Sequence, residues 1–246
     1  MSNKIIAANF KMNLSSKDEA INLCKYYQQK DQELPNVDFI AAPDFLWLED
    51  IVGLGVSVSS QDCFFEDTGP FTGEISPMIL KNIGVKYCIV GHSERRRLGD
   101  TDEIINKKMK AIMKNGITPI LCVGETLEQK QSGQKDEVLR GQIMMALEGI
   151  FGDPISLVVA YEPVWAIGTG SAEDSEEAAK TMEYIFKLVK QIIPNAEIKM
   201  IYGGSVDVLN IESFMSKSII QGALVGGASL KKEEFAKILE IANSSK

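Results

Sequence analysis

Apolar residues are distributed along the chain in two alternating patterns. Short runs occur at eight places: Ile5–Phe10, Val37–Ala41, Val56–Ser60, Tyr87–Val90, Thr118–Cys122, Leu157–Tyr161, Ile198–Ile201 and Gly222–Val225. Several are apolar on consecutive positions, the pattern of parallel strands covered on both faces. Longer stretches between them follow a 3.6-residue period. Ala179, Met182, Ile185, Phe186 and Val189 mark one helix, which Asp174 and Glu177 start as a capping box. Ile104, Ile105, Met109, Ile112 and Met113 mark another, from about Glu103 to Lys114, ending at Asn115-Gly116. Eight strand–helix units in 246 residues predict an α/β protein, a closed (β/α)8 barrel. An open doubly wound sheet is the alternative, but no G-x-G-x-x-G follows the first strand and closure suits eight units better. No long repeat, linker or low-complexity tract interrupts the pattern, so residues 1–246 are expected to form a single barrel domain.

Composition narrows the function classes. A net charge of −8 argues against a nucleic-acid or anionic-membrane partner, while leaving room for a small anionic ligand in a locally positive pocket. Four cysteines, none in a C-x-x-C pair, suit a reducing compartment. A single histidine, His92, excludes a multi-histidine metal site within one chain. The apolar run at the N-terminus is too short for a signal peptide, and no segment reaches transmembrane length. A cytoplasmic protein with no metal and no cofactor is expected.

In a barrel of this kind function gathers where the strands end. The run Ile155–Ala160 breaks at Glu162 and Pro163, followed by Trp165, Ile167 and two glycines, Gly168 and Gly170. This is either a base beneath a closing loop or a solvated connection. Lys11, after the first strand, is either one more surface lysine or a positive charge at the barrel mouth. The long connection Gln61–Ser76 carries Phe64, Phe65 and Phe71; it either meets a partner or folds back over its own barrel. His92 opens a short helical stretch, whose N-terminus disfavours added positive charge and would keep the imidazole neutral. Gly203-Gly204 and Gly226-Gly227 follow the last two strands, as simple turns or as an anion nest of backbone amides.

The segment Tyr161-Glu162-Pro163-Val164-Trp165-Ala166-Ile167-Gly168-Thr169-Gly170 resembles the catalytic-base and lid segment of the triosephosphate isomerase family. Asn9-Phe10-Lys11-Met12-Asn13 is similar to that family's Asn-Trp-Lys-Met-Asn. Gly91-His92-Ser93-Glu94-Arg95-Arg96, Phe71–Ser76 and Tyr202–Ser205 add to a likeness running from Asn9 to Leu230. The resemblance implies a TIM barrel that interconverts dihydroxyacetone phosphate and glyceraldehyde 3-phosphate through an enediolate, in glycolysis and gluconeogenesis. By the same resemblance Glu162 is the base, His92 polarises the carbonyl, and Lys11 and Asn9 attend the reacting oxygen. Ser205, Gly226, Gly227 and Gly168 would hold the phosphate. Glu94 would support Lys11, Arg95 would serve scaffold or interface contacts, and Cys122 would pack beside the base without acting as a nucleophile. The Gln61–Ser76 loop would build a homodimer, with Thr72 reaching the neighbour's centre. Ile167 and Leu224 are expected to clamp Glu162 in an apolar setting, which penalises its charged form and makes it a stronger base. Three departures stand out: Phe10 for Trp, Asp62 for Asn, and an Arg97–Asp100 stretch one residue short. The rivals are another phosphate-binding barrel, such as a phosphosugar epimerase or lyase, and an inactive binding protein. The first predicts a different base or a Schiff-base lysine; the second predicts loss of Glu162, His92 or Lys11.

Overall fold

The protein is described by a computed structural model covering residues 3–152, 155–167 and 172–245. Eight parallel strands close in chain order: β1 (Lys4–Asn9), β2 (Val37–Ala42), β3 (Ser57–Ser60), β4 (Tyr87–Val90), β5 (Thr118–Val123), β6 (Ser156–Tyr161), β7 (Glu197–Tyr202) and β8 (Gly222–Val225). Closure is made by β8 against β1, with Ala7 opposite Leu224. Helices surround the strands: α1 (Lys17–Asp31), α2 (Leu48–Val52), α3 (Pro77–Asn82), α4 (Ser93–Arg97), α5 (Asp102–Lys114), α6 (Leu127–Gln131), α7 (Lys135–Leu147), α8 (Ser175–Ile192), α9 (Ile211–Met215) and α10 (Lys232–Ser244).

The strands bury two cores because successive side chains point to opposite faces. Ile5, Ala7, Ile40, Ile89, Ile120, Cys122, Val158, Ala160, Ile201 and Leu224 fill the barrel interior. Their neighbours Ile6, Ala8, Leu121, Val159 and Tyr161 pack outward against the helices. This parity positions the site. Asn9 follows Ile5 and Ala7, Glu162 follows Val158 and Ala160, and Gly226 follows Leu224, so each continues the inward set at the carboxyl ends of the strands.

Local details depart from the periodicity. The first strand ends at Asn9, and Phe10 lies just beyond it, fully buried, its N–H donating to Ala42 O at 3.2 Å. Asp174 caps α8 by accepting from the N–H groups of Glu176 and Glu177. The Glu177 carboxylate pairs with Lys180, so only half of the expected box forms. In α8 Leu188 is buried and Phe186 only partly so. In α5 Asn106 and Lys108 are buried, both polar positions outside the apolar stripe. Asn106 Nδ2 donates to Ala146 O at 3.1 Å and Glu148 O at 2.9 Å, satisfying carbonyls at the end of α7.

Candidate active site

A cavity of about 390 Å³ opens at the carboxyl ends of the strands, with Asn9, Lys11, His92, Glu162, Ser205 and Gly227 among its walls. A larger hollow of about 500 Å³ lies elsewhere, beside Lys110, Met113 and Phe151, and its described lining has no acid or imidazole.

Glu162 leaves β6 with its N–H donating to Val123 O at 2.8 Å, and the residue is 2% exposed. Its Oε2 accepts the Ser93 N–H at 3.3 Å, and Oε1 has no hydrogen-bond partner. His92 Nε2 stands 3.5 Å from that free oxygen. Gly91, at φ +76°, turns the chain out of β4 so that His92 faces the cavity. The imidazole caps the five-residue α4: Nδ1 accepts the Glu94 N–H at 3.2 Å. An accepting Nδ1 places the proton on Nε2, the tautomer needed to donate to a carbonyl oxygen.

Lys11 is the one described non-glycine residue with positive φ, +52°. Its N–H donates to Asn9 Oδ1 at 3.1 Å, and Gln61 Nε2 donates to its carbonyl at 2.9 Å. Its ammonium lies 2.7 Å from Glu94 Oε1. Partial burial pulls the Glu94 carboxyl up, but Lys11 overrides it and holds the group below the usual carboxylate range. Cys122 lies beside Glu162, fully buried; burial and the neighbouring Glu162 carboxylate push its thiol well up, the opposite of an activated nucleophile.

On the facing side Gly226 and Gly227 line the cavity, and Gly227 opens a single 3-10 turn to Leu230. Ser205 also lines it, its hydroxyl donating at 2.5 Å to the Ala166 carbonyl, in the turn that follows Glu162. Leu224 is buried and Ile167 half-buried at the same cavity. Gly168 lies outside the described residues.

Two glycines have a task the sequence did not announce. A Cβ on Gly203 would sit 2.6 Å from Glu162 Cγ, and one on Gly124 would run into the Glu162 carbonyl. Both keep space for the acid. Ser93, whose N–H holds the carboxylate, and Glu125 were also missed as individuals. Glu125 is fully buried and accepts from Trp165 Nε1 at 2.9 Å and from the Tyr161 hydroxyl at 3.2 Å. Burial pushes its carboxyl up.

The Gln61–Ser76 connection divides. Its base folds against its own barrel: Lys108 reaches Asp62 at 2.8 Å and Asp100 at 2.6 Å, Arg95 Nε reaches Asp62 at 2.8 Å, and Lys114 reaches Asp67 at 2.8 Å. Asp62 thus has cations waiting for it, and the short Arg97–Asp100 turn delivers the second acid. Phe64 stacks on Phe65 at 4.0 Å and meets Phe71 at 4.7 Å. The tip, including Phe71, Thr72 and Gly73, is exposed. Among the described residues no cluster of three or more His, Cys, Asp or Glu side chains is arranged to hold a metal ion, and no helix is long and apolar enough to cross a membrane.

Residues 4–242 match the family model described as triosephosphate isomerase. Proteins named triosephosphate isomerase from Thermoanaerobacter pseudethanolicus and Clostridium botulinum strain Loch Maree are each 41% identical, covering 97% of this chain and 99% of their own length. One from Citrifermentans bemidjiense is 40% identical over 97% of this chain and 98% of its own.

Proposed function

The chain belongs to the triosephosphate isomerase family and is an isomerase of dihydroxyacetone phosphate and glyceraldehyde 3-phosphate; on that premise we propose how its residues divide the reaction. Glu162 takes a proton from one carbon of the bound triose and returns it to the neighbouring carbon. His92 donates from Nε2 to the oxygen that gains charge, and Lys11 and Asn9 stabilise the same enediolate. Ser205, Gly226 and Gly227, with Gly168, hold the phosphate through a hydroxyl and backbone amides, which bind an anion by aligned dipoles. Phosphate contacts remote from the reacting carbons drive the loop shut, so binding energy raises the rate. Ile167 and Leu224 then enclose the carboxylate and exclude water from the reacting carbons.

The observation that carries this reading is the meeting, in one cavity, of the unpaired Glu162 Oε1 and His92 Nε2 at 3.5 Å, with Ser205 and Gly227 in the same walls. In the present arrangement Glu162 rests on the Ser93 N–H and Ser205 is engaged by Ala166, so both must exchange partners when substrate enters. We take residues 1–246 as one cytoplasmic barrel domain that works as a homodimer through the Gln61–Ser76 loop, with Thr72 completing the neighbour's centre. The test is a coupled assay of triose phosphate interconversion on the wild type and Glu162→Asp. Withdrawing the carboxylate by one methylene is expected to lower kcat by about a hundredfold or more. Equal turnover in the two proteins would remove Glu162 from the role of base.

A further inference from the structure

The turn after β8 is fastened from behind by two residues that the reaction above does not use. Gly226 lies just past the strand, and the single 3-10 turn Gly227–Leu230 follows it. Ser229, fully buried within that turn, closes it on itself. Its N–H donates to Gly226 O at 2.8 Å, and its hydroxyl donates to the same oxygen at 2.6 Å. The N–H and C=O of one trans peptide point in opposite directions. Drawing Gly226 O onto Ser229 therefore turns the Gly227 N–H away from Ser229, and both glycines line the cavity. The carbonyl of Ser229 is held in its turn by Tyr27, on the outer helix α1, whose hydroxyl donates to it at 2.8 Å. Tyr27 is fully buried, its ring centre 5.6 Å from that of Phe39 on β2 and 4.6 Å from that of Phe235 on α10. A ring walled in this way offers its hydroxyl in one direction. Packing alone does not call for that hydroxyl, since a phenylalanine would fill the same space. What needs it is the Ser229 carbonyl, because an acceptor buried without a donor is costly. The adjacent Tyr26 differs: its hydroxyl donates to Glu233 at the surface, at 2.9 Å, and has no contact with the turn.

We propose that Tyr27 and Ser229 are positioning residues for phosphate recognition: the relay from the Tyr27 hydroxyl through Ser229 to Gly226 O sets the peptide that presents the Gly227 N–H to the phosphate. The inference rests on the reading of Gly226 and Gly227 as phosphate donors. Neither Tyr27 nor Ser229 is among the cavity walls, so both act through the glycines. With either hydroxyl gone the turn has a looser hold on its own carbonyls, and the amide spends less time aimed at the anion. The cost falls on the phosphate and spares the reacting carbons, which are handled by Glu162, His92, Lys11 and Asn9.

The experiment takes the full chain as wild type, Tyr27→Phe, Ser229→Ala and Tyr26→Phe, with circular dichroism on each sample. It measures kcat/KM for glyceraldehyde 3-phosphate, kcat/KM for unphosphorylated glyceraldehyde, and the inhibition constant of inorganic phosphate. Tyr27→Phe and Ser229→Ala are each expected to lower kcat/KM for the phosphate ester about fivefold and to raise the inhibition constant by a similar factor, the scale of one hydrogen bond. Their rates on glyceraldehyde should match the wild type, and Tyr26→Phe should match it throughout. Equal losses on the two aldehydes would mean a general loosening and overturn the proposal. So would unchanged phosphate constants in either variant, or the same loss in Tyr26→Phe. Should Tyr27→Phe not fold, Ser229→Ala carries the test. A wild type that inorganic phosphate does not inhibit, and that turns over both aldehydes equally well, overturns the glycine cradle itself. A wild type inhibited by phosphate, with variants that behave identically to it, overturns the relay alone.

Discussion

A single methyl group at position 203 would occupy the place of the Glu162 side chain, 2.6 Å from its Cγ. The carboxylate has walls on its other sides, with Cys122, His92 and Ser93 beside it, so it could only retreat from the cavity. Gly203→Ala is therefore expected to leave the barrel folded and lower kcat by about a hundredfold, the cost of roughly an ångström of misplacement at a reacting group. Steady-state kinetics with circular dichroism on the same sample would check it; wild-type kcat would show that the acid has room. The apolar partners make a separate case. Ile167→Ala and Leu224→Ala should each slow turnover by about tenfold or more, chiefly in kcat, if drying the carboxylate is their part. Unchanged kcat in both would remove the clamp. At this scale Asn9, Lys11, His92 and Glu162 stood out in the sequence because each sits at or just past the end of a strand, and the structure brings them into one cavity. Gly203 and Gly124 were legible only as glycines. Their reason is a close approach between segments far apart in sequence, which no local spacing records.

Helix α5 and the end of α1 show where periodicity misleads at the scale of elements. Lys108 falls among polar positions on α5, yet it is 3% exposed because Asp62 and Asp100 close over it. Lys108→Met would leave two acids sharing Arg95 alone at the base of the long loop. A destabilisation of about 3–5 kcal/mol is expected in denaturant melts, as when one partner of a buried ion pair is removed. A loss under 1 kcal/mol would mean the cluster is well hydrated. Asp31 closes α1 and accepts the Phe39 N–H of β2 at 3.0 Å. Burial pushes its carboxyl up to about 6; the Phe39 bond opposes this and Asp38 adds to it. In the unfolded chain an aspartate titrates near 3.9, about two units lower. The folded state therefore holds the proton more tightly. Its favourable contribution is complete below pH ~4 and is lost as the pH rises through ~6. Asp31→Asn keeps an acceptor for Phe39 and removes the titration. Its melting temperature relative to wild type should rise between pH 4 and 6 and then level off; a difference flat across that range would discount the shift. Strand order and the two-sided burial of the strands were readable from the consecutive apolar runs. The buried lysine was not, because its partners come from a loop whose path only the tertiary structure fixes.

The barrel mouth as a whole has one side that the chain leaves uncovered. Met12, Phe45, Leu46 and Phe71 are exposed there, on the connections after β1, β2 and β3. Gln61 ties these connections together, donating from Nε2 to Lys11 O at 2.9 Å and to Ala42 O at 3.0 Å. Lys11 itself stands in a backbone conformation that costs about 1–3 kcal/mol and persists only where its surroundings hold it. If the proposed second copy sits on this exposed apolar edge, it would have two effects at once, because the same loops hold the strained Lys11: it would cover the phenylalanine tip and stiffen Lys11. The sequence offered both fates for this loop; ion pairs with α5 hold its base against its own barrel, while its tip is exposed. We propose that a second copy of the chain seats on the tip. Phe71→Asp with Thr72→Arg places opposite charges on the tip without touching Asp62, Asp67 or the barrel core. The variant is expected to sediment at the 27.1 kDa of one chain, to keep its helical signal, and to lose most of its turnover. Diluting the wild type should reproduce the same loss, with activity following the fraction of dimer. A wild type that sediments as a single chain at every concentration while fully active would show that each barrel completes its own centre, and that the exposed phenylalanine edge serves something else.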